Sequence, residues 1–180
     1  LASCPEGVLR GLWSGLGYYA RARNLVRGAR HVVHHLGGEL PRNREGWIEI
    51  PGCGPYTSAM VASICHGEAV PAVDGNVVRV WSRLTATRED VRFGPGARDM
   101  HRDLESRIRR VRSPGDFNQA LMELGQKICT PRSPSCQACP VHGSCRALSE
   151  DVVHLCPVPR TRRPPRDVQL MVTIPVEPTG

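Results

Sequence analysis

The chain has 180 residues, which suits one domain of ordinary size, and its 40% of hydrophobic residues excludes a wholly disordered protein. No apolar run approaches the roughly 18 residues of a membrane helix, so no membrane partner is expected. The 24 Lys and Arg residues exceed the 17 Asp and Glu residues, and the net charge of +7 favours nucleic acid as a partner over a merely soluble basic protein.

The predicted elements are helical from residue 5 onward. Residues 5–36 predict helix, ended by two glycines, and a short helix follows a loop near residue 41. Further helices are predicted over 57–66, 76–85, 97–111 and 116–128. The predicted apolar face from residue 20 onward consists of Leu25, Ala29, Val32, Val33 and Leu36. The predicted buried stripe of the last helix consists of Phe117, Ala120, Leu121, Leu124 and Ile128.

The C-terminal part has a different pattern. Residues 157–166 are rich in Pro and Arg and predict a basic linker without regular structure. Residues 168–174 alternate in polarity as a strand does. No strand pattern precedes them, so the bulk of the chain is predicted to be all-α.

Four of the eight cysteines form a tight group, separated by six, two and five residues: Cys129, Cys136, Cys139 and Cys145. A disulfide framework is one interpretation, although nothing else indicates an oxidising compartment. Zinc is a second interpretation, although the group holds a single Cys-x-x-Cys knuckle. Four thiolates with wider outer spacing also bind iron–sulfur clusters. The spacing alone leaves zinc and iron–sulfur open.

Residues 50–57 read Ile-Pro-Gly-Cys-Gly-Pro-Tyr-Thr and place a Gly-x-Gly turn between two predicted helices. Glycine lets the backbone approach a ligand closely, and amides at the start of the next helix favour a phosphate. Gly52 and Gly54 are therefore candidate phosphate-binding residues. The alternative is a turn that only connects two helices.

Asp74 stands beside Gly75, directly before an apolar helix, in a run that reads Val-Asp-Gly-Asn-Val-Val-Arg-Val. An Asp at this position is most often a helix cap. The functional interpretation is a carboxylate at the positive end of a helix, where it stabilises a developing cation. Both interpretations remain open at this point.

These elements, in this order, resemble the helix-hairpin-helix DNA glycosylases with an iron–sulfur cluster, the endonuclease III superfamily. The adenine DNA glycosylases (MutY family), animal members above all, are the most similar within it. The resemblance runs from about residue 2 to about residue 147 and rests on residues 12–25 (Leu-Trp-Ser-Gly-Leu-Gly-Tyr-Tyr-Ala-Arg-Ala-Arg-Asn-Leu), the Pro-Gly-Cys-Gly turn, residues 73–77, residues 117–120 and the four cysteines. It implies an all-α fold with a partial six-helix barrel and a lobe that holds the cluster.

The resemblance implies roles for individual residues. Asp74 is expected to stabilise the oxocarbenium-like sugar, and Asn76 to help orient the reacting groups. Tyr56 stands where bifunctional relatives carry a catalytic Lys, and a phenol cannot form a Schiff base, so a monofunctional glycosylase is expected. Gln119 is expected to contact the flipped adenine and Tyr18 to wedge into the duplex. The alternative for Tyr18 is ordinary aromatic packing.

The resemblance also implies the cofactor and the domain organisation. It favours a four-iron, four-sulfur (4Fe-4S) cluster over zinc, with the four grouped cysteines as ligands. Residues 1–147 are the expected catalytic domain, with a cluster loop over 129–145. Residues 148–166 are the expected interdomain linker, and residues 167–180 are expected to begin a Nudix-like domain.

The expected function is base-excision repair of double-stranded DNA, by hydrolysis of the N-glycosidic bond of adenine mispaired with 8-oxoguanine or guanine. The expected compartment is the nucleus, with the mitochondrion second. The family's general acid is a Glu upstream of the Gly-Leu-Gly-Tyr-Tyr motif. This chain contains the motif but not that Glu, so weak activity of the chain alone is expected. The alternatives are a thymine or uracil mismatch glycosylase of the same fold and a catalytically dead DNA-binding product.

Overall fold

The structure, a computed structural model, describes residues 1–159 and 168–172. Within these ranges it contains helices and turns but no strand, which confirms the prediction of an all-α fold. The α-helices are α1 (Glu6–Leu12), α2 (Tyr19–His35), α3 (Arg44–Ile48), α4 (Pro55–His66), α5 (Gly75–Thr85), α6 (Gly94–Ile108), α7 (Pro114–Lys127) and α8 (Arg146–Ser149). Short 3-10 turns are formed by Cys136–Ala138, His142–Ser144 and Val153–Leu155.

A tight turn divides the helix predicted over residues 5–36 into α1 and α2. Gly15, Gly17 and Tyr18 adopt positive φ angles of 82°, 65° and 47°, which no right-handed helix allows. The indole Nε1 of Trp13 donates to the carbonyl of Gly17 at 3.0 Å and holds this turn in place. The prediction of one continuous helix was therefore wrong across residues 13–18.

The buried face of α2 is not the predicted one. Its buried side chains include Ala22 and Val26 as well as the predicted Val32, whereas Leu25 is 48% exposed and Val33 is 50% exposed. Gly28 explains part of the difference, because a Cβ there would lie 3.0 Å from Cγ2 of Ile50. A small residue therefore decides which side of the helix approaches the Gly-x-Gly turn.

The main core lies where α5, α6 and α7 meet. Its buried members are Val77, Val78, Val91, Met100 and Leu104, with Trp81, Phe117 and Leu121 packed against them. These side chains shield the start of α5 from water on one side. The amphipathic pattern of α5 and α6 thus places the first turn of α5 on a packed support.

Helix α7 approaches its neighbours through glycines. A Cβ at Gly125 would lie 2.6 Å from Cβ of Asn76 on α5, and a Cβ at Gly115 would lie 2.8 Å from Cα of Ile64 on α4. Of the predicted stripe, Phe117 and Leu121 do pack on the core, whereas Ala120 is exposed. The buried residues of this helix are instead Pro114, Gly115, Asn118 and Gly125.

The packed structure continues to Cys156, past the predicted domain end at residue 147, because Ala147, Val152 and Cys156 form a small buried cluster. Residues 168–172 form no strand, so that prediction was wrong for these five residues; a strand needs a paired neighbour. Residues 173–174 of the predicted strand and residues 160–166 of the predicted basic linker lie outside the described residues. No described helix combines the length and apolarity needed to cross a membrane.

Candidate active site and iron–sulfur site

Asp74 is the N-cap of α5, and its carboxylate is fixed by three N–H donors. Oδ1 accepts from the backbone N–H groups of Asn76 at 2.8 Å and Val77 at 2.9 Å. Oδ2 accepts from the Asn76 amide Nδ2 at 2.8 Å. These donors and the positive end of the helix stabilise the negative charge. Asp74 can therefore be both the helix cap and the functional carboxylate, because the residue that caps α5 also lines a cavity.

That cavity has a volume of about 530 Å³, within the usual size of small-molecule sites. Asp74 and Tyr56 lie on its wall, beside the apolar Val73 and Val78. Its other polar lining residues are Arg44, Arg92, His101 and Glu105. A cavity of this size beside a fixed carboxylate can admit a base or a sugar.

Tyr56 faces the cavity with a neutral phenol. Its hydroxyl donates to the sulfur of Met122 at 2.8 Å. Burial raises the pKa of Tyr56, and the negative charge of Asp74 raises it further. At neutral pH the side chain is therefore a hydrogen-bond donor and neither a base nor a nucleophile.

Arg79 connects Asn76 to the loop that begins at Cys129. Its Nη2 donates to Oδ1 of Asn76 at 2.8 Å and to the carbonyl of Gly125 at 2.7 Å. Its Nε donates to the carbonyl of Cys129 at 2.7 Å. A continuous chain of hydrogen bonds therefore runs from Asp74 to the cysteine loop.

The Gly-x-Gly turn presents the start of α4. Gly52 has a φ of +95°, and a Cβ there would lie 2.6 Å from Cβ of Asn24, so this position requires glycine. Gly54 caps α4 without any side-chain hydrogen bond, and Pro55 occupies the first helical position. The first N–H groups of this helix thus have no side-chain acceptor, which suits a phosphate oxygen.

The two remaining predicted residues lie apart from the cavity. Tyr18 is 82% exposed at the start of α2, and its φ of +47° is uncommon for a residue with a side chain. This exposure does not fit aromatic packing in a core. Gln119 donates from Nε2 to the carbonyl of Gly115 at 3.4 Å and is not part of the cavity wall. The structure thus brings Tyr56, Asp74 and Asn76 together, but not Gln119.

The four grouped cysteines are free thiols and line one small cavity together with Arg83. Arg83 is 3% exposed, and its Nη1 lies 3.3 Å from Sγ of Cys129. Its other hydrogen bonds go to backbone carbonyls, and no carboxylate is among its partners in the described part of the chain. A buried guanidinium needs a negative partner, which the thiolates of an anionic cluster supply.

The thiols around this cavity act on one another electrostatically. Burial raises the pKa of Cys136, and the neighbouring thiols of Cys129 and Cys145 raise it further. A polynuclear iron core would fill the space between the thiolates and offset their mutual repulsion.

Comparison with known proteins agrees with this geometry. Residues 1–110 match the family model described as the HhH-GPD superfamily base excision DNA repair protein. The chain belongs to this superfamily. Residues 129–145, which contain the four grouped cysteines, match the iron–sulfur binding domain of endonuclease III. The predicted helix-hairpin-helix fold and the 4Fe-4S cofactor are thereby confirmed.

Adenine DNA glycosylases of Homo sapiens, Arabidopsis thaliana and Schizosaccharomyces pombe are 45%, 46% and 41% identical to this HhH-GPD chain. The matches cover 82%, 77% and 85% of the chain, and 27%, 22% and 34% of those relatives. The chain thus spans about a fifth to a third of the length of these relatives. The predicted resemblance to adenine DNA glycosylases is confirmed.

Two solved structures share the fold. A thermostable thymine-DNA glycosylase is 29% identical with a TM-score of 0.72. An endonuclease III in a non-covalent DNA complex is 24% identical with a TM-score of 0.64, which shows a common fold alone. Each match covers 83% of this chain and 68% of the other.

The sequence predictions gave no role to Arg79, Arg83 and Asn118. These side chains bond to Asn76, to Cys129 and to the segment before Asp74, respectively. One signal was available: Arg79 and Arg83 stand four residues apart on a helix that is otherwise mostly apolar. Two cations on the inner face of a helix indicate a buried polar network. Asn118 lies within residues 117–120, which carry part of the resemblance, but no role was predicted for it, because one Asn in a helix is compatible with an exposed position.

Proposed function

We propose that this chain is the catalytic part of a monofunctional adenine DNA glycosylase. It flips adenine out of a duplex in which adenine is mispaired with 8-oxoguanine or guanine, and it hydrolyses the N-glycosidic bond. The observation that carries the proposal is the fixed carboxylate of Asp74 beside the cavity of about 530 Å³. The identity to three adenine DNA glycosylases supports adenine as the target base.

The chemistry follows from charge. As the glycosidic bond breaks, positive charge develops on the sugar, and the Asp74 carboxylate stabilises it. Asn76 holds Oδ2 of Asp74 in place, while the neutral phenol of Tyr56 borders the same space. Protonation of the departing adenine contributes about 10²–10⁴-fold in such reactions. An upstream Glu supplies that proton in this proposal.

The lysine inventory supports a monofunctional enzyme. A lyase step needs an amine that forms a Schiff base with the abasic sugar. Lys127 is the sole lysine of the chain, and its ammonium pairs with Glu123 at 2.9 Å on the exposed end of α7. It is absent from the cavity wall, where Tyr56 lies instead.

The remaining assignments extend this proposal. Cys129, Cys136, Cys139 and Cys145 hold the 4Fe-4S cluster, which supplies a structural cross-link for the loop. Gly52 and Gly54 bind a DNA phosphate, Tyr18 wedges into the duplex, and Gln119 contacts the flipped adenine. This last role needs a rearrangement, since Gln119 now bonds within its own helix. We place residues 1–147 in the catalytic domain, together with residues 148–156, which pack on it through Val152 and Cys156, and we place the protein in the nucleus.

A thymine mismatch glycosylase is the second candidate, because the thermostable thymine-DNA glycosylase has the same fold at 29% identity. A single-turnover excision assay separates the two. Duplexes carrying adenine opposite 8-oxoguanine, adenine opposite guanine, or thymine opposite guanine are incubated with excess protein. Excision of adenine supports the proposal, and excision of thymine alone overturns it.

The assay is run on this chain, on the chain extended by the upstream helices of an adenine glycosylase, and on an extended Asp74→Asn variant. We expect adenine excision by the extended protein, little by the chain alone, and none by the variant. Full activity of the chain alone would refute the proposal that an upstream Glu supplies the proton. If the extended protein binds DNA but excises no base, the DNA-binding alternative is favoured.

A further inference from the structure

The segment that leads into Asp74 has no regular structure of its own. It connects α4 to α5 through residues 67–73, and Pro71 and Ala72 within it are buried. Val70, Pro71 and Val73 also form part of the wall of the cavity. Buried backbone groups need hydrogen-bond partners, and this segment has no neighbouring strand to supply them.

Asn118 supplies these partners from α7. Asn118 is 1% exposed, and its Oδ1 accepts from the backbone N–H of Ala72 at 3.0 Å. Its Nδ2 donates to the carbonyl of Val70 at 3.0 Å and to the hydroxyl of Ser63 at 2.9 Å. One side-chain amide therefore supplies hydrogen-bond partners to the backbone on both sides of Pro71, as an adjacent strand would.

The position of this amide is itself fixed. The first turn of α7 packs on the backbone of α4, where a Cβ at Gly115 would lie 3.0 Å from the carbonyl oxygen of Ser63. The last turn packs on the first turn of α5 through Gly125. Asn118 thus lies on a helix that is held against the elements on both sides of the segment.

We propose that Asn118 is a positioning residue for Asp74: it holds the segment that forms the cavity wall and so sets where the sugar lies relative to the carboxylate. This inference rests on the proposed function, because it concerns how the same site is built. Only a group that both accepts and donates fits the position. Leucine offers neither function, and an ionised carboxylate has no proton to donate to the Val70 carbonyl.

The test measures binding, which does not depend on the upstream acid. Two duplexes differ in one residue opposite 8-oxoguanine: a cationic pyrrolidine analogue of the abasic sugar, or a neutral tetrahydrofuran analogue. The ratio of the two dissociation constants for the full chain with its cluster reports the contact between Asp74 and a positive sugar. An unfolded fraction cancels in this ratio because both constants come from one preparation.

We expect the wild-type chain to prefer the cationic duplex at both about pH 7.5 and about pH 5.5. Asn118→Asp, where its carboxyl is ionised, should lose about fourfold of this preference at the higher pH, since a misplacement of about 1 Å weakens a contact between opposite charges about 4 Å apart by about that factor at an effective dielectric constant of about 20. It should regain the preference at the lower pH, where a buried carboxyl is protonated and can both accept and donate. Asn118→Leu, neutral throughout, should lack the preference at both pH values.

Ser63→Ala is the matched control, because it removes one partner of Asn118 but leaves both bonds to the segment. We expect it to keep the wild-type preference. An Asn118→Leu variant with unchanged preference at both pH values would overturn the inference, as would an equal loss in Ser63→Ala. A wild-type chain that binds both duplexes equally would overturn the proposed function itself, and the inference with it.

Discussion

Gly125→Ala offers a direct test of whether the contact between α7 and α5 sets the geometry at Asp74. The new Cβ would lie 2.6 Å from Cβ of Asn76, whereas ordinary contacts begin near 3.4 Å. The two helices must therefore separate by about 0.8 Å. Asp74 caps the turn that contains Asn76, so its carboxylate moves together with that turn.

Coulomb's law gives the size of the effect. A carboxylate and a cation about 4 Å apart attract by about 4 kcal/mol at an effective dielectric constant of about 20, and a further 0.8 Å removes about 0.7 kcal/mol. That loss corresponds to about threefold in affinity. Overpacking costs about 1–3 kcal/mol of folding free energy, but alanine in a helix returns about 1 kcal/mol relative to glycine. The variant should therefore fold.

The assay is again the ratio of affinities for the cationic and neutral duplexes. Gly46→Ala on α3 is the matched control, because its Cβ would also lie 2.6 Å from a neighbour, Cβ of Pro41, away from α5. We expect the preference to fall about threefold in Gly125→Ala and to stay unchanged in Gly46→Ala. An unchanged preference in Gly125→Ala, with a lowered Tm, would refute a rigid α7–α5 contact.

Three further predictions concern other elements. Arg83→Lys keeps the charge but cannot reach the same acceptors, so iron content should fall and stability should drop by about 3 kcal/mol, measured by iron analysis and denaturant unfolding. Burial opposes the ionised form of Asp103, but hydrogen bonds from Arg107 and Trp81 outweigh it and lower its pKa. Asp103→Asn should thus cost about 1 kcal/mol at neutral pH and progressively less as the pH falls below about 4, because that stabilisation is lost as the folded-state carboxyl is protonated; thermal unfolding across pH checks this. Lys127→Arg should leave excision by the extended protein unchanged, and borohydride should trap no covalent DNA adduct with either form, since no Schiff base forms; an adduct would refute the monofunctional assignment.

The sequence predicted the helices best where a cap or a glycine marks an end. Helix α5 begins beside its capping Asp74, and α7 begins beside Ser113, whose hydroxyl accepts from the N–H of Asp116 at 3.4 Å. The predicted bounds of these two helices were correct within about two residues. Local chemistry sets these ends, so one stretch of sequence contains the necessary information.

The buried faces were predicted less well, because contacts with neighbouring elements determine which side of a helix is buried. Leu25 and Val33 fit an apolar face by spacing, yet Gly28 determines which side of α2 meets the Gly-x-Gly turn. On α7, Gly115 and Gly125 lie so close to α4 and α5 that neither position has room for a side chain. Hydrophobic periodicity gives no weight to a residue without a side chain, although such a residue permits the tightest packing.

The site extends further than its reactive residues because one guanidinium serves two regions. Arg79 bonds both to Asn76, which orients Asp74, and to the carbonyl of Cys129, where the cysteine loop begins. These acceptors are half-buried, so a loop that moved away would leave polar groups without partners near the carboxylate. Among the described contacts, no other donor reaches the Cys129 carbonyl or Oδ1 of Asn76. The hydrogen bonds of Arg79 therefore link the folding of residues 129–145 to the geometry at Asp74.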